Sequence, residues 1–386
     1  MLNLSSFFSE NNFTFDLKLR MSKGNIVYTI TPRESNRFGF YELKKIIAFI
    51  NYLKKKKQPK LKIIVNMGNI VFVDKLTYIL LECIASYAVN EGFNIFFNFS
   101  CKNNIWIEGI KYSPLMYLST NNREEFNKHF KLDINGAHYR RLITVESNKN
   151  FDAASKLMQD IISFMKSIKV SDECRCTIAE VISELVDNAL EHGESDCLVD
   201  LDITENYQKK PLPGEENEDS QEDYYGVNIV VVSFSKYLLN SKLKRKMESM
   251  EELTERYREI IKAREIHSSK WNDDYGEEDF YNITAFQHKI TGRPHEQKTG
   301  GTGLTKLLRT LELRSDAYNC YMITGEKAVI FLHDCIKYNE KVWVGFNTEN
   351  NYFEHIPSKD SIMKNVFFLP GTGYNLNFVL RRENDE

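Results

Sequence analysis

The chain lacks several features that would assign it to a class at once. No stretch approaches the roughly 20 consecutive apolar residues that a membrane-spanning helix needs, so no membrane segment is predicted. The opening residues, MLNLSSFFSENNFTF, have neither a basic start nor a long apolar run, so no signal peptide is expected. Seven cysteines, an odd number in 386 residues, argue against a disulfide framework. We therefore expect a soluble, reduced protein of the cytoplasm.

A strong charge of one sign is also lacking. The formal net charge is −3, so no global field would recruit nucleic acid or an anionic membrane. A run of four lysines at 54–57 is predicted to end a solvated helix and to complement its dipole. A nucleic-acid patch is the disfavoured alternative, because no aromatic residue interrupts the run. Cys174 and Cys176 have no second pair at zinc spacing, so we predict no metal site there.

What remains is an ordinary globular composition, 42% hydrophobic and 27% charged, in a chain long enough for two or three domains. The first domain, residues 1–105, alternates strands with amphipathic helices and predicts a small α/β unit. Its predicted elements are a strand at 25–31, a helix at 41–56, the strand KLKIIVNM, a helix within 69–92 and the strand FNIFFNF.

This order resembles the STAS domain of anti-sigma-factor antagonists over about residues 20–105. In that family an Asp-Ser-Ser-Gly turn opens a helix and carries the serine that is phosphorylated. Asp74 matches the Asp, but Lys75 and Leu76 stand where the serines would be. The resemblance therefore implies a STAS-like scaffold without the phosphorylation switch.

The rest of the chain is predicted to form a connector over 106–150 and a second domain over 151–386. An acidic loop at 207–225 is expected to be a disordered hairpin loop, with an acidic docking element as the alternative. A charged insertion at 238–297 includes one long predicted helix, LKRKMESMEELTERYREIIKAREI. The other predicted elements are helices at 151–169, 172–192 and 304–313 and strands DCLVDLDIT, GVNIVVVSF, YNCYMITG, AVIFLHD, KVWVGFN and NLNFVLR.

Two segments of the second domain carry the chemistry. In the predicted helix 172–192, which contains the sequence SELVDNALEH, the polar residues Glu180, Glu184, Asn188 and His192 recur every four residues and share one face. Such a face is commonly just solvated. About a hundred residues later, TGGTGL places three glycines directly before a helix, where backbone N–H groups and the helix dipole favour an anion.

The two segments, in this order and separated by a strand and a long insertion, resemble the GHKL ATPases, which include histidine kinases, DNA gyrase, MutL and heat-shock chaperones. ISELVDNALEHG is similar to the matching helix of anti-sigma-factor serine kinases. The resemblance covers about residues 151–382. It implies a two-layer α/β sandwich in which a mixed sheet is covered by helices on one face.

The resemblance also implies the ligands, ATP and Mg²⁺, and the role of each residue. Asn188 would help to hold Mg²⁺ against the triphosphate, and Glu184 would be the general base. The phosphate contacts would come from Lys298, Thr299, Gly300, Gly301, Thr302, Gly303 and Leu304.

One sequence motif of the GHKL family is altered in this chain. An Asp-x-Gly-x-Gly sequence should lie at the end of the strand GVNIVVVSF, and in the family its Asp binds the adenine amino group. Ser233 stands in place of that Asp, and Ser235 and Tyr237 replace the glycines. A serine hydroxyl still accepts a hydrogen bond, but without charge assistance. The insertion 238–297 occupies the position of the family's ATP lid, which can order on nucleotide binding.

Two functions follow as expectations. The first is a Mg²⁺-dependent ATPase or a serine/threonine protein kinase with a STAS-like sensor. The alternative is a nucleotide-gated interaction module with little turnover, acting in stress signalling or bacterial antiviral defence. Both need a protein partner, a homodimer is left open, and neither needs membrane or nucleic acid. A histidine kinase is disfavoured because His129 and His138 lie in poorly periodic sequence and are expected at the surface.

Overall fold

The computed structural model describes residues 2–14, 19–33, 36–56, 61–68, 70–99, 113–150, 153–207, 224–249, 254–290, 302–315 and 320–383. This part of the chain is a mixed α/β protein, as the sequence predicts. Within it, no helix combines the length and the apolar character needed to cross a membrane. Most of the acidic loop (208–223) lies outside the described residues, as do Lys298, Thr299, Gly300 and Gly301.

The N-terminal segment has the predicted alternation of strands and helices. Its elements are α1 (Ser5–Glu10), β1 (Leu19–Ser22), β2 (Asn25–Thr29), β3 (Arg37–Phe38), α2 (Phe40–Lys56), β4 (Lys62–Gly68), β5 (Val71–Phe72), α3 (Lys75–Asn90) and β6 (Asn94–Phe99). The sheet has the order β1-β2-β4-β6, with β2, β4 and β6 parallel. Asp74 caps α3, because its Oδ1 accepts the N–H of Thr77 at 2.7 Å.

Residues 113–150, assigned above to a connector, fold into regular elements. These are α4 (Leu115–Ser119), α5 (Arg123–Lys131), β7 (Leu132–Asn135), β8 (His138–Ile143) and α6 (Val145–Asn150). Strands β7 and β8 are part of the six-stranded sheet that the C-terminal residues build. Each element is only four to nine residues long, which is too short for a hydrophobic period to show.

The C-terminal residues complete this sheet with four strands and add six α-helices and a π-helical turn. The elements are α7 (Ala153–Phe164), α8 (Asp172–Asp187), β9 (Cys197–Thr204), β10 (Tyr224–Ser233), α9 (Leu239–Ser249), α10 (Glu255–Ser268), α11 (Glu277–Thr284), α12 (Gly303–Arg314), β11 (Tyr321–Ile330) and β12 (Ile362–Arg381), with a π-helical turn over Asn188–His192. The strand order is β11-β12-β10-β9-β8-β7, and every neighbouring pair is antiparallel. The expected mixed sheet is therefore wrong. Strands β7 to β10 pair in sequence order, and β12 lies antiparallel between β10 and β11.

Both faces of this sheet are buried, whereas helices on one face only were expected. Val199 and Leu201 of β9 face the core that contains α7, α8 and α12. Leu198 of β9 and Val230 of β10 face the opposite core, which they share with α2 and α3. The N-terminal segment therefore covers the second face, which explains why these strands are apolar on both sides.

The insertion is packed against the rest of the protein. The predicted long helix is two helices, α9 and α10, and buried Tyr257, Ile260 and Phe280 belong to the main core. The guanidinium of Arg256 lies 3.7 Å from the centre of the Trp343 ring and donates to the backbone oxygen of His288 at 2.7 Å. The described residues of the insertion are therefore already packed against the core, and they do not form a lid that becomes ordered as a whole when a nucleotide binds.

The last predicted strands also differ from the structure. YNCYMITG and AVIFLHD contribute to one strand, β11, which passes through Gly325 at φ +58°. KVWVGFN is not a strand, and its Trp343 packs against Tyr352 instead. The sequence LPGTG, which comes just before the predicted strand NLNFVLR, lies inside β12, where Gly371 has φ +96°.

A buried ionic cluster joins α3 to the six-stranded sheet. Lys75 Nζ lies 2.7 Å from carboxylate oxygens of both Asp200 and Asp202. Arg140 pairs with Asp200 and with Glu82 of α3. His138 contacts Asp200 at 3.1 Å and is 1% exposed, so its expected surface position is wrong.

The pKa values of this cluster reflect burial and mutual attraction. Burial would raise the pKa of Asp200, but Arg140, Lys75 and His138 hold it well below its usual value. Burial would lower the pKa of His138, but Asp200 and Asp133 raise it to about 9. Burial outweighs Arg140 at Glu82 and raises its pKa to about 7. The cluster thus carries opposite charges at neutral pH and links the N-terminal segment to the sheet.

Candidate functional site

A cavity of about 570 Å³ opens at the end of the sheet beside α8 and the start of α12. Its lining includes most of the described residues that the sequence analysis selected. They are Glu184, Asn188, Ser233, Ser235, Gly303 and Leu304. A nucleotide-sized ligand fits such a volume.

Helix α8 supplies the acidic wall. Ser171 caps its first turn by accepting the N–H of Cys174 at 3.2 Å, and Ile178, Ile182 and Leu185 bury the opposite face. The polar stripe predicted from the four-residue spacing therefore faces the open side of the helix. Glu184, Asn188 and His192 line the cavity together.

Asn188 occupies a distinctive backbone position. Helix α8 ends at Asp187, and Asn188 begins the π-helical turn. The backbone oxygen of Asn188 accepts the N–H of Gly193 at 2.9 Å. Single π-turns are rare and occur often at functional sites. The sequence analysis predicted one uninterrupted helix to residue 192 and missed this widening.

Gly303 brings α12 against Glu184. A Cβ built on Gly303 would collide with the Glu184 carboxylate, so glycine permits the close approach. The first backbone N–H groups of α12, which have no partner within the helix, therefore lie near that carboxylate. Thr302 precedes the helix and lines the neighbouring cavity rather than this one.

The floor of the cavity is a pair of hydroxyls on adjacent strands. Ser233 ends β10 directly opposite Thr372 of β12, and their oxygens are 3.3 Å apart. A Cβ on Gly371 would lie 2.7 Å from the Ser235 nitrogen, so glycine is needed where the strands come together. Thr372 was missed as a site residue, because only the strand register reveals that it faces Ser233.

Ser235 has a structural part in the same wall. Its hydroxyl donates to the backbone oxygen of Gly193 at 2.5 Å and accepts the N–H of Tyr237 at 2.9 Å. These bonds hold the end of β10 to the π-turn. The cavity lining includes Ser235, but its hydroxyl already has two partners.

The insertion provides the remaining wall. Leu239, Lys242 and Leu243 of α9 line the cavity, together with Ala285 and Ile290. The ammonium of Lys242 lies 3.4 Å from a carboxylate oxygen of Glu194 and 4.7 Å from the centre of the Tyr237 ring. A cation therefore stands beside the acidic helix.

A second cavity of about 600 Å³ adjoins the first along α8 and α12. Glu184, Asp187 and Gly303 line both cavities. Glu180, one turn before Glu184, lines only the second, where it pairs with Lys306. Glu184 is thus accessible from two sides, and Glu180 from one.

Metal-binding groups of two kinds occur in the described residues. His138, Asp200 and Asp202 have metal-ligand spacing, but the Lys75 ammonium already occupies the space between the two carboxylates. In the first cavity, Asn188, Glu184 and Asp187 line the same space with an amide and two carboxylates. Oxygen ligands of this kind suit Mg²⁺.

No protein-family model matches the chain, and neither a curated protein nor a solved structure matches it. The geometry of the cavity therefore carries the functional argument. The cavity is lined by an acidic helix, by a helix start that opens with a glycine and by a partly buried pair of hydroxyls, around one nucleotide-sized space.

Proposed function

We propose that the chain is a GHKL-type protein that binds ATP with Mg²⁺ in the first cavity and hydrolyses it or transfers its phosphate to a protein. The observation that supports this most is that Glu184, Asn188 and Gly303, from two segments about a hundred residues apart, line one cavity with Ser233. The N-terminal segment is proposed to be a STAS-like domain, supported by its parallel β2-β4-β6 core.

The lining residues fit the parts of the ligand. The base would lie against the hydroxyls of Ser233 and Thr372, which can accept and donate hydrogen bonds to an adenine edge. The phosphates would lie at the start of α12, where the first backbone N–H groups have no partner within the helix and the helix dipole favours an anion. Asn188 would present its amide oxygen to Mg²⁺, which supplies positive charge against the phosphates.

Glu184 would act as the general base. Its carboxylate lies beside the start of α12, and the second cavity gives a nucleophile access from the other side. The carboxylate would orient a water or a hydroxyl and accept its proton. A protein hydroxyl entering through the second cavity would make the protein a kinase, and water would make it an ATPase.

The nucleotide-gated interaction module is the second candidate. Ser233 in place of an acidic residue weakens the expected adenine contact, which favours binding without efficient turnover. The packing of α9, α10 and α11 into the core weighs against a mechanism in which the whole insertion orders on binding. A protein partner is part of both proposals, and a homodimer is compatible with both.

We expect Asn188→Ala to remove the metal-dependent part of ATP binding, because the variant loses the amide oxygen offered to Mg²⁺. Isothermal titration calorimetry with ATP, in Mg²⁺ and in a chelator, measures this. The wild type should bind more tightly with Mg²⁺, and the alanine variant should show one affinity in both buffers. Asn188→Asp retains an oxygen ligand and should keep the metal dependence. Equal wild-type affinities in the two buffers would contradict the role of Asn188.

We expect Ser233→Asp to tighten ATP binding about fivefold, corresponding to about 1 kcal/mol, because a charge-assisted acceptor replaces a neutral one. The same titration with GTP is the control, since guanine presents a carbonyl where adenine has its amino group. Unchanged or weaker ATP binding by a variant that melts at the wild-type temperature would show that the base lies elsewhere.

A further inference from the structure

One side of α2, formed by exposed and half-buried side chains, repeats one short pattern. A tyrosine is followed three and four residues later by two lysines, and the pattern recurs after eleven residues. The two copies are Tyr41, Lys44 and Lys45, and Tyr52, Lys55 and Lys56. Eleven residues are about three helical turns, so both copies lie on the same side of α2, about 16 Å apart along its axis. We call these six residues the Tyr–Lys stripe.

The ammonium groups of the stripe contact only neutral groups among the described residues. Lys45 donates to the backbone oxygen of Thr31 at 2.9 Å, and its nitrogen lies 4.7 Å from the centre of the Tyr41 ring. Lys55 donates to Asn12 Oδ1 at 3.0 Å. The nitrogen of Lys56 is 5.8 Å from the Tyr52 ring centre. Since an ammonium has three donors, each lysine keeps hydrogen-bonding capacity.

No described carboxylate neutralises this face. Glu42 is the one acidic residue of α2, and it is buried, accepting the N–H groups of Arg33 at 2.9 Å and Gly39 at 3.0 Å. Residues 1–105 contain 15 Lys and Arg against 7 Asp and Glu, although the whole chain has a net charge of −3. Positive charge is therefore concentrated in the N-terminal segment, and within that segment the Tyr–Lys stripe is where lysines recur at a regular spacing.

We propose that the Tyr–Lys stripe binds a single-stranded nucleic acid. A positive track along which aromatic rings alternate with cations can hold phosphates and stack unpaired bases. In the linear sequence, the lysine run at 54–57 has no aromatic residue within it, which disfavoured nucleic acid. The helix changes this, because its turns bring Tyr41 and Tyr52 beside lysines four residues further on.

An anionic membrane is the less suitable partner. Surface helices that hold to a bilayer insert apolar side chains into it. The leucine, isoleucine and phenylalanine side chains in the interior of α2, such as Leu43, Ile46 and Phe49, are buried in the protein core. The stripe offers only lysine and tyrosine, so it has no large aliphatic group to insert.

Fluorescence anisotropy with a labelled 20-nucleotide RNA single strand, at 50 and 200 mM salt, tests the proposal. The wild type should bind with a plot of log K against log salt whose slope is about −3, since about 0.7 counterions are released per phosphate contact and four lysines contribute. K44Q/K45Q/K55Q/K56Q should weaken binding at least about tenfold at 50 mM and flatten the slope. Tyr41→Leu with Tyr52→Leu should weaken binding at least about fivefold and leave the slope unchanged.

The matched control is K128Q/K262Q/K337Q/K341Q, which removes four lysines outside the N-terminal segment and should bind like the wild type. All variants should melt at the wild-type temperature. The proposal is overturned if the wild type binds no single strand at 50 mM salt, if both quadruple variants lose affinity equally, or if the wild type binds phosphatidylserine vesicles but not RNA. The experiment contains no ATP, so its outcome is independent of the proposed ATP site.

Discussion

Replacing Lys75 by Met should lower the free energy of unfolding by about 3–5 kcal/mol, the effect expected when one partner of a buried ion pair is removed. The variant keeps an unbranched side chain of similar length but leaves Asp200 and Asp202, both 1% exposed, without the ammonium that lies 2.7 Å from each. Urea unfolding followed by circular dichroism at pH 7 measures the change.

Two control variants separate the loss of this ion pair from a nonspecific loss of stability. Lys128→Met removes an exposed cation, 3.5 Å from Glu125, and should change stability by less than about 0.5 kcal/mol. Lys75→Met combined with Asp202→Leu removes a cation and a carboxylate together and should recover part of the loss, because a buried pair can be replaced by apolar groups at little cost. A loss below about 1 kcal/mol for Lys75→Met would show that the cluster does not hold the two parts together.

The pH dependence has a definite sign. Asp200 has a lowered pKa in the folded protein, so the stability that it contributes is present above its unfolded pKa and is lost as pH falls through the folded value. The loss caused by Lys75→Met should therefore be largest near neutral pH. It should shrink as the pH falls below about 4, the ordinary pKa of an aspartate in the unfolded chain, and should be smallest once the pH has fallen through the lowered folded pKa of Asp200.

The cluster also illustrates which parts of the fold the sequence could not predict. In the sequence, Lys75 stood out only because it replaces a serine of the STAS family's turn. His138 lies in a strand too short to show an alternating pattern. Their importance depends on α3 lying across β8 and β9, and this contact joins residues at least 58 positions apart. Local patterns predicted α2, α3, β4 and β6 well, because each is long enough to display its own period.

The candidate site was predictable where its residues lie on one regular element. The four-residue spacing predicted that Glu184 and Asn188 share a face, and both line the cavity. Thr372 depends on the register of β12 against β10, and Lys242 on how the insertion packs. The π-turn at Asn188 has no known signature in the residue types. The spacing of residues within one helix therefore predicts which side chains share a site, whereas the pairing of distant strands cannot be predicted from the sequence.

We expect Glu184→Gln to leave ATP binding within about twofold of the wild type and to reduce phosphate release, or phosphate transfer, by about 10²–10⁴-fold. Glutamine has the same shape and should fit beside Gly303 as the carboxylate does, but it cannot accept a proton. Calorimetry gives the affinity, and a coupled assay of phosphate release on the same sample gives the rate.

Glu180→Gln is the matched control, because Glu180 is the same residue type one helical turn earlier and lines only the second cavity. Its pairing with Lys306 is partly exposed, so its loss should change the rate by less than about threefold. If both variants keep the wild-type rate, Glu184 is not the base and the acidic stripe only faces solvent. If the wild type binds ATP but neither releases phosphate nor transfers it to a protein, the enzyme proposal fails. The cavity would then belong to a nucleotide-gated module, in which Glu184 contacts the ligand without reacting with it.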